Sequence, residues 1–429
     1  MEFSVACNFD PRLPALLEGY PVKELYGKLA ADPFGGGRPS FYLPQVGMEG
    51  LESYVRLTHG HGIQFNYLLN SIAMGNVEYS RYGQKRLERL LGNLDDIGVD
   101  AVTVSSVFLL RLIKRRHPRL RVRIGAHMFT DSPRKVRFWV EQGADEIVVN
   151  EVSIHREFEV LKAMQQAAGP VTLELIVNNW CRTDCAIANT HATGLNAASQ
   201  NGNRGFPLDY CSLVCNWVRL QEPVNYLRAN WIRPEDLELY ERMGYRKFKI
   251  VERNTPTAIL VDRVHAYTNR RYDGNLLDLV QNYAYPEEKF DKVSRGSYSF
   301  RRMLRYFVHP GKVNLFKFTK LVKFGKTASV LYPLRGPNPV QIPNRLLDGF
   351  MKRFETTGCQ DTDCESCRYC HEWAERVVRI DPQWKTQMEA VYNDLFDETD
   401  GGGFWESHLH TLRCGLAEGA SRLKRMFLG

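Results

Sequence analysis

The sequence predicts an α/β chain whose larger part is a (β/α)8 barrel. The first 270 residues repeat one unit: a short β-branched or apolar run ends in a polar residue, and a longer amphipathic run follows. Eight such short runs occur, mostly without strict alternation, as parallel strands covered on both faces require. No GxGxxG follows the first run, which argues against an open dinucleotide-binding sheet.

The predicted strands are, in order, FSVAC (3–7), VKELYGK (22–28), IQFNYLL (63–69), DAVTVSS (100–106), RVRIGAH (121–127), DEIVVN (145–150), VTLELIVN (171–178) and RKFKIVE (246–252). Gly62, Gly98, Gly143 and Gly244 each stand just before a strand, where a left-handed residue ends the preceding helix. Eight strand–helix units of this length fit a TIM-like barrel better than a doubly wound sheet. The GGG at 35–37 lacks the Lys-Ser/Thr of a phosphate loop and reads as a substrate loop or a tight turn.

In such barrels chemistry sits where the strands end. Those ends carry Asn8 and Asp10, Lys28, Asn66 and Asn70, Ser105, His127, Asn150 and Glu151, Asn178 and Asn179, and Glu252 and Arg253. His127, Glu151, Asn178 and Glu252 are the candidates for positioning a substrate and moving protons. Lys28, Arg38, Asn66, Asn150, Asn179 and Arg253 are the candidates for binding. Of these, Lys28, Arg38 and Arg253 suit carboxylates, which arginine grips bidentately. Each rim residue is equally able to cap a helix.

The longest interruption, residues 179–245, follows strand seven and begins NNWCRTDC. It holds Cys181, Cys185, Cys211 and Cys215 as two C-x3-C pairs. Four thiols at a catalytic rim imply a metal, either zinc or iron–sulfur. Structural zinc loops prefer two intervening residues, so the spacing and placement favour a 4Fe–4S cluster.

Residues 1–285 therefore read as the barrel with its insertion, and 286–429 as a basic, cysteine-rich C-terminal domain. That domain contains CQDTDCESCRYCH at 359–371. Cys359, Cys364, Cys367 and Cys370 repeat with the two-residue gaps of ferredoxin-type loops. A second 4Fe–4S cluster is one reading and zinc the other, with His371 able to replace a thiol. Cys7 and Cys414 read as buried apolar residues.

The net charge is +8, the hydrophobic fraction 44% and the charged fraction 25%, ordinary globular values. No run approaches the ~20 apolar residues of a membrane span. The N-terminus MEFSVACNFDPRLP has no signal-peptide pattern. The expectation is a cytoplasmic chain, where clustered cysteines hold metal more often than disulfides. From Lys292 to Arg345 there are twelve Lys or Arg and no Asp or Glu, and RLIKRRHPRLRVR (111–123) is a second basic run. Tyr298, Phe300, Tyr306, Phe307, Phe316 and Phe318 lie within the first; they either stack RNA bases or form a small core.

Strand seven running into ELIVNNWCRTDC resembles the signature region of the collagenase-like peptidases, the U-type peptidase family 32. HGIQFNYLLN, GADEIVVNEVSIHREFEVL and SLVCNWVR support the resemblance, which covers about residues 1–270. It implies a 4Fe–4S cluster on four cysteines at that strand end. Branches of the family perform anaerobic ubiquinone hydroxylation and RNA hydroxylation with prephenate in place of O₂ as the oxygen source; others are labelled peptidases. The family's His-Gly pair before the first cysteine is Asn178-Asn179 here. The function this implies is an oxygen-independent hydroxylation, or a related redox modification, of a small molecule or RNA. Its expected partners are a carboxylate oxygen donor and an electron-donor protein. The alternatives are a metal-containing peptidase, though no GxSxG or HExxH occurs, and an RNA-binding or RNA-modifying protein using the basic segment 292–345.

Overall fold

The computed structural model describes residues 1–417 except 31, 151, 201–207, 281–283, 298–299, 331, 361 and 415. Seven strands come first: β1 Glu2–Ala6, β2 Val22–Gly27, β3 Gln64–Leu69, β4 Ala101–Val104, β5 Arg121–Ile124, β6 Glu146–Val148 and β7 Thr172–Ile176. Two more, β8 Asn178–Arg182 and β9 Ala229–Trp231, belong to the insertion, and β10 Lys247–Ile250 completes a closed barrel. Every barrel pairing is parallel, and β1 closes the ring on β10 with Val5 opposite Ile250.

Serine caps start three of the outer helices. Ser80, Ser106 and Ser132 accept from the backbone N–H of Gly83, Leu109 and Lys135. Gly62, Gly98, Gly143 and Gly244 end helices with φ from +69° to +102°. The apolar layer between strands and helices joins Phe3, Val5 and Leu25 to Leu51, Leu87 and Leu109. It continues without a break into Ile342, Leu347 and Phe350 of the C-terminal part. Each such side chain contributes about 1.5–3 kcal/mol through burial.

The barrel interior is charged. Period two turns Ser4, Glu24, Arg123, Glu146, Glu174, Lys247 and Lys249 inward, all buried. Arg123 pairs with Glu24 and Glu146 and stands 3.3 Å from Glu174. The Lys247 ammonium is 2.9 Å from Glu146, and Ser4 Oγ donates to Glu24 at 2.9 Å and to Glu174 at 2.5 Å. Three carboxylates thus meet three cations, which is what makes their burial tolerable.

Strand seven is shorter than the sequence reading has it. It ends at Ile176 because Val177 donates to Lys249 O while its own carbonyl accepts from Ile232. The chain then turns into β8, which pairs antiparallel with β9 as a separate ribbon, Asn178 opposite Trp231. Cys414 is a correction: it is exposed, 3.6 Å from His410 Nε2, whereas Cys7 is buried as expected.

Much of the predicted basic surface is internally paired. In the 111–123 run, Lys114, Arg116, Arg119 and Arg121 pair with Asp145, Glu88, Asp95 and Glu146. In the longer run, Lys317 and Lys320 pair with Glu398. Tyr306 and Phe307 pack edge-on against Phe41. Phe316 remains exposed beside His408, while Tyr298 and the Phe300 side chain lie outside the described residues. Among the described residues, no helix is long and apolar enough to cross a membrane.

Candidate active site

The inward side chains at the strand ends, among them Tyr26, Leu68, Thr103, Val148, Ile176 and Lys249, floor a cavity of about 210 Å³. One wall comes from the glycine run. Asp32 Oδ1 accepts from Phe34 and Gly35, Gly36 N–H donates to Ser199 Oγ at 2.6 Å, and Gly37 N–H donates to Asn70 Oδ1 at 3.0 Å. The run is therefore held by Asp32, Ser199 and Asn70. It wedges between the barrel rim and the insertion, and it delivers Arg38 to the cavity. At Gly35 (φ +80°) a Cβ would lie 2.9 Å from Asn196 O and 2.8 Å from Gln200 Cγ. Gly35→Ala is expected to destabilise the protein by about 1–3 kcal/mol, read by denaturant titration. A change of only a few tenths would show the wedge to be loose.

Arg38 pairs with Glu252, whose backbone holds φ +93°, a costly conformation outside glycine. Beside them Arg253 is buried, and burial brings its pKa down to about 10. Burial, then Arg38, His191 and Arg253, lower the His127 pKa to about 4. His127 is thus a neutral imidazole at pH 7, and its Nδ1 meets the Asn196 amide at 3.1 Å.

The four insertion cysteines line this cavity, each half-buried. Cys181 lies on β8, fixed through its backbone: its N–H donates to Asn179 Oδ1 at 2.7 Å and its carbonyl accepts from Asn230 at 3.2 Å. Cys211 and Cys215 lie four residues apart on helix Tyr210–Gln221 and so share one face. That helix is capped by Asp209 and rests Leu213 and Leu220 on Met388 and Tyr392 of helix Pro382–Asp400. Arg219, one turn further along, donates to Cys215 Sγ at 3.0 Å. Burial raises the Cys211 pKa, with Asp209, Cys185 and Cys215 adding to it, so these thiols feel one another.

Among the described residues, five buried N–H groups of cavity-lining residues have no hydrogen-bond partner: Asn179 Nδ2, Trp180 Nε1, Arg182 Nε, Arg219 Nε and Arg253 Nη1. All are donors, and they sit within the wall rather than on the cavity surface. Four thiolates around such a site fit a bound iron–sulfur or zinc group by donor type. Among the described residues, no three Cys, His, Asp or Glu side chains stand close enough to share one ion.

The model of peptidase family U32 matches residues 42–269, more than half of the chain. The chain belongs to peptidase family U32. It is similar to the uncharacterized protease MJ1657 of Methanocaldococcus jannaschii, with 28% identity over 348 residues, 81% of this chain and 86% of that protein. Among solved structures, the U32 peptidase Mk0906 matches with a TM-score of 0.44 and 18% identity, over 58% of this chain and 91% of that one.

The U32 match takes in the first quartet, whereas the second, Cys359 to Cys370, lies beyond it. Cys364 is exposed and the other three are half-buried. Burial pushes Cys359 up to about 11, with Arg156 opposing and Cys370 and Cys364 among the contributing neighbours. The second quartet is tied to the same rim: Cys359 N–H donates to Glu157 at 2.6 Å, and Arg156 donates to Ala229 O on β9. Arg228, just before β9, meets His371 at 3.3 Å. The β8–β9 ribbon therefore has Cys181 on one strand and the second quartet's neighbours against the other.

Of the rim residues singled out in this U32 chain, Asn70, His127, Glu252, Arg38, Arg253, Asn150 and Asn179 line the cavity. Asn150 caps its own loop, accepting from Val152 at 3.0 Å. Three others turn away. Asn178 spends its amide on the backbone of Val251 and Leu279. Asn66 bonds Glu24 and Thr103 inside the barrel, and Lys28 is buried 2.8 Å from Asp32. Glu151 lies outside the described residues. Lys249, Tyr26 and Arg219 line the cavity without having been singled out; the alternation in KFKI was the available signal for Lys249.

Proposed function

We propose that this U32 protein is an iron–sulfur enzyme performing an oxygen-independent hydroxylation, or a related redox modification, of a small molecule or RNA. Four thiols line one cavity at the barrel mouth beside the Arg38 and Arg253 guanidiniums, and this arrangement supports the reading. Cys181, Cys185, Cys211 and Cys215 would hold a 4Fe–4S cluster, which supplies one-electron chemistry when bound. Thiols set apart around a cavity suit a cluster better than one zinc ion with four Zn–S bonds of about 2.3 Å. Arg38 and Arg253 attract a carboxylate oxygen donor, Glu252 fixes the direction of Arg38, and neutral His127, its Nδ1 accepting from Asn196, offers an Nε2–H donor. Cys359, Cys364, Cys367 and Cys370 would hold a second 4Fe–4S cluster or zinc. The exposed Cys364 edge is where an electron-donor protein would reach it.

Anaerobic purification followed by metal and sulfide analysis is the test. About eight irons per chain are expected if both quartets hold 4Fe–4S units, and about four if only the first does. Zinc near two with negligible iron would overturn the redox reading. A peptidase is the second reading, favoured by the family's name and by that of the M. jannaschii relative. It falls if neither the iron-loaded nor the metal-free protein cleaves gelatin or casein.

A further inference from the structure

A buried amine stands on the cavity floor. Lys249 is only 6% exposed, on β10, with its Nζ 4.0 Å from the centroid of the Tyr26 ring. Its carboxylate neighbour is loosely placed, Glu174 Oε2 at 3.7 Å. Glu174 is engaged more closely from below, by Ser4 at 2.5 Å and Arg123 at 3.3 Å. The buried Glu174 Oε2 makes no hydrogen bond, and this one atom carries the ion pairs to both Arg123 and Lys249. The lysine pKa is lowered, chiefly by burial; Arg123 and Lys247 act in the same direction, while Glu174 and Glu24 oppose them. Amines become nucleophilic when desolvated beside other cations. The same cavity carries the Arg38 and Arg253 guanidiniums.

We propose that Lys249 is a nucleophile that captures the carbonyl of a 2-oxo carboxylate as an imine, with Glu174 as its proton carrier. On binding, Glu174 takes a proton from the Lys249 ammonium. The freed amine forms an N–C bond to the carbonyl carbon, the C=O π pair moves to oxygen, and Glu174 returns that proton to the oxygen, giving a carbinolamine hydroxyl. Glu174 then takes a second proton from the nitrogen and hands it to the hydroxyl, which leaves as water, so that two of the ammonium's three protons end on the water and one stays on the protonated imine. One water is lost and nothing is oxidised or reduced. The guanidiniums hold the ligand's carboxylate while the carbonyl meets the amine. This activity is independent of what the thiols bind.

The full-length protein is incubated with pyruvate and sodium cyanoborohydride, which reduces the imine to a stable secondary amine, and the modified peptide is mapped by mass spectrometry. One reduced adduct is expected, on the peptide carrying Lys249. K249R, which keeps the charge and removes the nucleophile, should lower labelling there to the level of surface lysines. E174Q should slow adduct formation by about a hundredfold. Circular dichroism and metal content of both variants report folding and cofactor loading separately. Wild-type protein with no adduct above the surface lysines, or an adduct that persists elsewhere in the cavity of folded K249R, overturns the proposal.

Discussion

Arg123→Leu is expected to be the most damaging single substitution in the barrel. The guanidinium is fully buried among Glu24, Glu146 and Glu174, and it makes the closest ion pairs of the inner layer. Removing it leaves three carboxylates facing two lysines, Lys247 and Lys249, in the same dry space. Breaking a buried ionic network from one side costs about 3–5 kcal/mol, a large part of the ~5–15 kcal/mol that holds a typical domain folded. Arg123→Lys restores the charge without the fork and should recover part of the loss. Soluble yield and denaturant midpoint measure both. An Arg123→Leu protein as stable as the parent would mean that the layer relaxes by protonating its carboxylates.

Cys181→Ala has the largest expected effect on the cofactor. The position is held by backbone contacts to Asn179 and Asn230, so the ribbon should survive loss of the thiol. Anaerobically purified variant should lose the first quartet's cluster signal in electron paramagnetic resonance and about four irons, leaving the metal of the second quartet, iron–sulfur or zinc, in place. The exposed Cys414→Ala is the control and should change neither. Unaltered iron and spectra in Cys181→Ala would remove the first quartet from the proposed centre.

Much of this fold was legible because hydrophobic runs and helix-ending glycines are local signals. RVRI, KFKI and TLELI became strands because β-rich runs bounded by turns have few alternatives. The ribbon was not legible: β9 is three residues long, and β8 follows β7 after a single residue, so its first residue, Asn178, read as the end of strand seven. The charged inner layer was present in the alternation of Glu24, Arg123, Glu174 and Lys247. However, a charge within a strand run says nothing about which side faces inward until the barrel closes. Rim placement had the same defect. Asn178 and Arg253 are both polar residues at strand ends, yet one serves backbone amides and the other the cavity. Which of these occurs depends on contacts 70 residues and more away. The cysteine quartets were legible as spacing, and their positions around one ribbon only as structure.

The ionic filling of the barrel also bears on heat. Hydrocarbon cores gain little from warming, because hydrophobic stabilisation per unit area levels off as temperature rises. Ions behave differently: water's hold on them weakens, so the desolvation that opposes a buried network shrinks while its attractions remain. The layer built from Arg123, Lys247, Lys249 and three glutamates is therefore at its least favourable in the cold. As the temperature climbs it gives up less than an all-leucine filling would, and the barrel's centre should be among the last regions to exchange its amide protons near the melting point.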